Sequence, residues 1–536
     1  MKNTVLRLLH ESYRKQETLE ASAQNKIYVA GNSFVAFQIE ITAKEDTLLM
    51  LGDCYEDRLS RPARIRLAIE AGGLDFQLYA VECVNGFADP LPARRSIMLI
   101  KEQPAYIFAV ARTGETVPYT VARVSLYCVH ENKENFVQQA EIECVPLDFS
   151  FAKPWHYVNK IDLWQHPTCI ARYYDVEEYS DAHFAILEQY VQALAWLGQK
   201  SVSIIASHTP WDGQRRALAK QGPAPNLFES QMVRITKTEN RLFFDFSVID
   251  RYIALCQAYG IDDEYEVFGL CGAWTERILL RTKENDRYIY LTDSEIDLYI
   301  EALYKHFQVK GYLAKTVICA DEPNDKERFT QDLNRIRRLA PGFCFKAALD
   351  NPTFADSFDG DLQVIVPSFF TACSRLTQLQ QLSIEKTWYI CCGPDRPNSF
   401  ISSRLAEIRS LAYLNELFDF QGILRWAFTA WTDEPYTNSR AGMWESGDTY
   451  LIYPGKGGKP VYSLRYYQLR RMIEDLQLLQ QVQNKRQYID KIWYIQSPTD
   501  ITWVDWKVQG EHLYSENMAD YDACRLEMIQ EIQEQA

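Results

Sequence analysis

The feature that most constrains this chain is a change in hydrophobic period near residue 150. Before it, Phe37, Ile39 and Ile41 interleave with Gln38, Glu40 and Thr42, and Val124, Leu126 and Cys128 with Arg123, Ser125 and Tyr127. Side chains on a strand alternate between faces, so these runs read as strands with one wet face. Turn signals at Gly31-Asn32, Gly72-Gly73 and Thr113-Gly114 separate them, and helix-period segments are scarce. A β-sandwich over residues 1–155 is the expectation.

After the break the pattern alternates strand and helix, the signature of parallel βα units. Residues 146–167, with three prolines, read as the linker. Residues 169–174 read as a first strand, followed by a helix that Ser180 caps and Gly198 ends. Residues 201–206 read as the second strand, then a hairpin-like insertion at 232–246 and a helix at 248–259. Further strands are expected at 267–270, 315–320, 344–348, 362–366, 387–391 and 423–429, and the box Thr292-x-x-Glu295 should open the helix after the third. Eight units over this length favour a closed (β/α)8 barrel, residues 156–450. An amphipathic helix at 464–483 and the aromatic, acidic tail read as a C-terminal appendage, residues 451–536, packed on the barrel.

Charge and cysteine usage narrow the function. A net charge of -15 disfavours nucleic acid and anionic membranes, whose recognition needs clustered Lys and Arg. No stretch approaches a membrane span, and the charged N-terminal run does not read as a signal peptide. With thirteen cysteines, an odd number, in a chain too long to need staples, free thiols and a cytoplasmic setting are the expectation. There is no Cys-x-x-Cys pair and no metal-spaced histidine motif, so neither a metal nor an organic cofactor is expected. The glycine-rich run at 455–459 lacks phosphate-loop spacing and reads as a hairpin turn. The partner that remains is a small oligosaccharide or glycoside.

The run Thr316-Val-Ile-Cys-Ala-Asp321-Glu322-Pro323-Asn324 places two acids where an apolar strand stops and a helix begins, with Asn324 as the expected cap. Strand C-termini form the functional face of a barrel, so Asp321 and Glu322 should enter its mouth. One acid held protonated can act as general acid while the other orients a second group. Alone, the tripeptide could equally just start a helix, its acids favoured by the helix dipole.

Aromatic residues recur after the expected strands: Trp211, Trp274, Phe369, Phe370, Trp431 and Tyr436. Their rings suit the apolar faces of pyranoses. Arg172, His208, Asp350 and Asp433 join them as candidates to hold hydroxyls, although Arg172 and Asp350 could serve as ion-pair partners within the fold. The second Asp-Glu-Pro, at 433–435, competes for the catalytic role. Glu322 as acid with Glu434 as nucleophile would make an ordinary β-glycosidase, and a non-catalytic sugar-binding protein is the other alternative.

The chain resembles glycoside hydrolase family 123 and its relatives. The resemblance rests on Leu163-Trp164-Gln165-His166-Pro167 leading into Ile170-Ala171-Arg172-Tyr173, on Phe244-Asp245-Phe246, on Asp321-Glu322, and on the segment from Trp426 to Trp431. Tyr450-Leu451-Ile452-Tyr453-Pro454-Gly455, Ser463-Leu464-Arg465 and Ile473-Glu474-Asp475 extend it. It implies a β-N-acetylgalactosaminidase with an N-terminal β-sandwich and a (β/α)8 catalytic domain. It further implies substrate assistance, with Asp321 steadying the acetamido group and Glu322 as general acid and then general base.

Overall fold

The computed structural model describes every residue except 1–3, 18–23, 52–63, 131–132, 212–228, 240, 273, 275–276, 285–286, 355–359 and 536. Two sheets build the N-terminal region. One has four antiparallel strands in the order Val5–Leu9, Phe34–Thr42, Pro104–Arg112, Gln77–Ala80; the other has six and includes the long pair Thr120–His130 and Lys133–Ser150. Phe37, Ile39, Ile41, Ile107, Val124 and Leu126 are fully buried between them, as the alternation predicts. The second face of Phe34–Thr42 is not wet, however. Gln38 donates to the carbonyls of Glu11 and Tyr13 at 2.9 and 2.8 Å, and Glu40 accepts from Arg7 at 2.6 Å, so buried polar groups find partners instead of water.

Eight parallel strands follow: β1 (Lys160–Leu163), β2 (Ser201–Ile205), β3 (Glu264–Phe268), β4 (Thr316–Asp321), β5 (Cys344–Leu349), β6 (Val364–Pro367), β7 (Glu385–Ile390) and β8 (Gly422–Arg425). They run in one sheet in the order β1, β8, β7, β6, β5, β4, β3, β2. This is the (β/α)8 barrel expected from the pattern. The hairpin insertion (Arg234–Thr238 with Arg241–Asp245), the Ser180 cap, the left-handed Gly198 and the Thr292–Glu295 capping box are all present.

Two local expectations are corrected. Residues 169–174 form no strand: 169–173 belong to the helix Pro167–Tyr173, which Tyr174 caps, and the first strand lies upstream, inside the segment read as linker. Pro167 sits at the first helical position, where its fixed φ and missing N–H cost nothing. A buried apolar run as short as Cys169-Ile170-Ala171 has the same pattern in a helix as in a strand. At the end of β4, Asp325 and not Asn324 caps the helix Lys326–Leu339, accepting from the Arg328 N–H at 3.0 Å.

Closure between β1 and β2 is made largely by side chains. One backbone bridge joins Ile161 to Gln199. The Gln199 amide then accepts from Leu163 N–H at 2.8 Å and donates to the Ser201 carbonyl at 2.8 Å. Gln165 spans the next gap, donating to the carbonyls of Leu163 and Ser201 at 3.1 and 3.0 Å and accepting from Ser203 N–H at 3.0 Å.

Inside the barrel, away from the strand C-termini, Lys346 on β5 is buried and donates to Asp162, Glu264 and Glu266 at 2.7, 2.8 and 2.5 Å. These carboxylates have ligand atoms within 4.8 Å of one another, the spacing of a cation site, and the ammonium fills it. Burial and the charge of Asp162 hold Glu266 well above the usual carboxylate range. Removing one partner of a buried ion cluster leaves uncompensated charge, so Lys346→Met is expected to cost about 3–5 kcal/mol of stability. Denaturant unfolding measures this, and an unchanged midpoint would contradict it.

The helix Leu464–Leu479 is not amphipathic in its surroundings: all its residues are buried, between sandwich and barrel. Its polar residues are paired. Arg465 meets Asp89 at 3.0 Å, Arg471 meets Glu11 at 2.8 Å, Asp475 meets Arg409 at 2.9 Å, and Ser33 donates to Glu474 at 2.8 Å. Burial alone would raise the Glu474 pKa, but Arg525, Arg470 and Arg471 outweigh it and bring it down to about 2. The stability Glu474 contributes is therefore present above its unfolded pKa and is lost only as pH falls toward 2. The 455–459 run is a turn, as expected, joining Tyr453–Pro454 to Pro460–Ser463, and the latter strand pairs with Pro90–Leu91 of the N-terminal region.

Candidate active site

A cavity of about 300 Å³ opens at the C-terminal end of the barrel strands, and Asp321 and Glu322 both line it. Successive strand residues point to opposite faces, which would separate these two side chains. The separation is avoided because Glu322 lies just past β4 in the left-handed region, with φ 46°. A non-glycine residue there carries strain of about 1–3 kcal/mol, of the kind stored at functional sites. The Glu322 N–H to the Ala348 carbonyl, 3.1 Å, helps hold the turn. Gly272 makes room beside it: a Cβ there would stand 2.9 Å from the backbone nitrogen of Asp321.

Both carboxyls have donors directed at them. Tyr389 at the end of β7 donates to Glu322 Oε1 at 2.6 Å, and Trp274 Nε1 donates to Oε2 at 3.2 Å. Asp321 accepts from the side chain of Trp211. Burial, with the charge of Glu322, holds Asp321 well above the usual carboxylate range. Burial and Asp350 raise Glu322 against the pull of Tyr389 and Trp274. The pair retains a proton at a pH where exposed carboxyls would have lost theirs.

The rest of the lining is largely aromatic, with Trp164, Trp426, Trp444, Phe370 and Trp506, and no Lys or Arg is among the described residues that line the cavity. Asp448, buried behind it, accepts from Arg425 at 2.8 Å and from Trp426 Nε1 at 3.4 Å, which fixes that indole. Burial pushes Asp448 up to about 6 despite Arg425. Two adjacent protonatable acids in an indole-lined cavity at a barrel mouth suit hydrolysis of a glycosidic bond.

Residues 164–482, more than half of the chain, match the family described as glycoside hydrolase 123, catalytic domain. The chain belongs to glycoside hydrolase family 123. It is a glycoside hydrolase enzyme, and its substrate is a carbohydrate. A family 123 glycoside hydrolase from Clostridium perfringens, studied for glycolipid glycan hydrolysis, has the same fold at 16% identity, with 99% of each chain covered and a TM-score of 0.76. A GH5 xyloglucanase from Bacteroides ovatus matches at 7% identity over 88% of this chain and 100% of its own, with a TM-score of 0.30. No curated protein matches the sequence.

The other residues singled out from sequence fall into three groups in this family 123 hydrolase. Trp274 and Asp350 line the cavity with the two acids, and Trp211 reaches it only through its bond to Asp321. Arg172, His208, Trp431 and Tyr436 lie elsewhere. Arg172 sits in the last turn of the helix Pro167–Tyr173, 3.4 Å from Glu178 and 3.8 Å from the buried Glu229, so its role as an ion-pair partner is the one observed. Trp431 is buried with its Nε1 on the Ile452 carbonyl at 2.8 Å, Tyr436 stacks on Tyr453, and His208 packs near Tyr290. Asp433 and Glu434 are exposed in a turn, where Glu434 accepts from Thr437 at 2.9 Å; neither lines the cavity.

Sequence reasoning missed Tyr389, Trp444 and Trp506 as cavity residues. Tyr389 falls in the middle of the strand expected at 387–391 but near the C-terminal end of the observed β7, the end of a barrel strand that carries function. Trp444 and Trp506 lie in loops far along the chain, where no local pattern connects them to the barrel mouth.

Proposed function

We propose that the enzyme is a retaining, exo-acting β-N-acetylhexosaminidase, preferring galactosamine, that works by substrate assistance. The observation carrying this reading is that Asp321 and Glu322, neighbours in sequence, share one cavity while no other described carboxylate there but Asp350 faces them. A retaining site with a carboxylate nucleophile sets its two acids about 5 Å apart across the sugar, which adjacent residues are badly placed to do. In the proposed first step the acetamido oxygen attacks C1 while Glu322 gives its proton to the departing glycosidic oxygen. Before this step the substrate's acetamide N–H faces Asp321 and favours its ionised form, which places the pair's shared proton on Glu322; after it both carboxyls are ionised. In the second step ionised Glu322 takes a proton from water, which adds to C1 and reopens the oxazolinium ring. Configuration is retained.

The absence of basic residues among the described residues lining the cavity supports a neutral sugar over an acidic or sulfated one. The Clostridium perfringens relative was studied for glycolipid glycan hydrolysis, and short neutral glycans are the proposed substrates here. Thiols support a reducing, cytoplasmic setting: leaving aside Cys128, and Cys54, which lies outside the described residues, the eleven other cysteines carry free thiols, and Cys391 and Cys392 stand with sulfurs 3.7 Å apart. No helix among the described residues is long and apolar enough to cross a membrane. A panel of aryl glycosides with and without the 2-acetamido group tests the assignment; hydrolysis confined to 2-acetamido sugars is expected.

The bond from Tyr389 favours the ionised form of Glu322. Its loss in Tyr389→Phe should raise the Glu322 pKa further. Activity of a general acid fades as pH rises through its pKa, so the alkaline limb of the kcat/KM profile should move to higher pH. A limb that stays in place or moves down would argue against Glu322 as the acid.

A further inference from the structure

The tip of a C-terminal hairpin, outside the segment matched to the family, reaches the catalytic cavity. Its strands Trp503–Val504 and Lys507–Val508 are joined by Asp505 and Trp506, with φ 48° and 64°. Two successive positive φ values mark the type I′ pattern, which favours Asn-Gly or Asp-Gly. A tryptophan in the second position is an unfavourable choice for the backbone, so a reason for it must lie in the side chain.

The hairpin is fastened to the loop after β7. Asp395 accepts from Val508 N–H at 2.8 Å and donates its own N–H to the Trp506 carbonyl at 3.1 Å, while Arg396 donates to the Gly510 carbonyl at 2.5 Å. Phe370 and Trp503 pack with ring centroids 5.1 Å apart. Gly393 fits beneath: a Cβ there would lie 2.9 Å from the Phe370 ring and 3.5 Å from Trp506 Cβ. The indole so placed lines the cavity yet remains 48% exposed, whereas Trp164 and Trp444, which also line it, are 4% and 8% exposed.

We propose that Trp506 is the platform for the leaving group, on which the first neutral sugar ring of the aglycone stacks as it leaves the cavity. An exo-acting enzyme seats the sugar to be released at the closed end, so the aglycone must pass the open rim, where the exposed indole stands. Stacking uses the apolar face of a pyranose and needs no charge, which suits a cavity with no Lys or Arg among its described lining residues. This rests on the exo-glycosidase reading of the site above.

Trp506→Gly separates this role from a structural one, because glycine is the residue the turn favours. The variant should keep or raise the melting temperature. Its kcat/KM should fall about tenfold on a β-linked disaccharide and stay within about twofold on the corresponding glycosyl fluoride, which has no aglycone ring. Trp506→Tyr should restore most of the disaccharide rate. Both substrates carry whichever sugar the wild-type enzyme cleaves, so a preference for 2-hydroxyl sugars would reject the oxazolinium reading and leave this comparison intact. An equal loss on the two substrates, a lowered melting temperature accounting for the loss, or no loss on the disaccharide would each overturn the proposal.

Discussion

Glu322→Gln is expected to lower turnover on unactivated glycosides by about 10²–10⁴-fold, the range for one positioned acid–base group, and more where the same group serves both steps. The fold should survive. The new amide can accept from Trp274 and donate to the Tyr389 hydroxyl, and the substitution removes a carboxyl that burial already raises. The loss should depend on the leaving group: a dinitrophenol needs little protonation to depart, so its release should be far less impaired than that of a sugar. Binding of intact substrate to the folded variant is expected to persist, which a melting curve and a titration can establish together. Wild-type rates in this variant would sink the assignment, and a comparable loss in Glu434→Gln alone would move the catalytic role to that exposed turn.

The second large effect concerns Asp321. Its charge is proposed to stabilise the oxazolinium that forms when the acetamide closes on C1, a role akin to that of other preorganised electrostatic groups, worth about 10²–10³-fold each. Asp321→Asn keeps the size and can still accept the Trp211 bond, but it carries no charge. A thiazoline analogue resembles the cyclised intermediate, so it should bind the wild type tightly, and the variant should lose this affinity in step with kcat. Glycosides with a 2-hydroxyl in place of the acetamide lack the internal nucleophile and should be nearly inert. Efficient hydrolysis of those substrates, or a covalent sugar ester trapped on a protein carboxylate, would falsify substrate assistance.

Much of this architecture could be read from the residues because the local signals agree with the tertiary result. Seven of the eight barrel strands carry apolar cores long enough to stand out, and the Ser180 and Thr292 caps announce their helices. β1 was hidden because half of its four residues, Lys160 and Asp162, are charged and look like linker. They are in the barrel because Lys346, Glu264 and Glu385 neutralise them there, information spread over more than two hundred residues of sequence. The helix Leu464–Leu479 misled for the same reason: its arginines signal solvent unless their distant partners are known.

The site divides along similar lines. Asp321 and Glu322 were legible from their place at the end of an apolar strand. That they face one cavity was not, since it depends on the left-handed turn at Glu322. Aromatic residues after strands proved a mixed guide: Trp274 and Phe370 line the cavity, while Trp431 and Tyr436 are packing residues whose polar atoms bond backbone carbonyls.

The seam between β1 and β2 has a consequence for how freely the gene can vary. A backbone ladder is supplied by every residue except proline, so most strand pairs of the barrel tolerate changes of side chain without losing their hydrogen bonds. At the seam the bonds belong to Gln165 and Gln199, whose amides stand in for a missing stretch of ladder. Ionised glutamate only accepts and methionine donates nothing, so neither replaces both bonds at that reach. At these two positions the closure of the barrel is written in particular codons, and it is so again where Gln363 and Gln421 accept from the N–H groups of Phe345 and Lys386 at 2.7 and 2.8 Å.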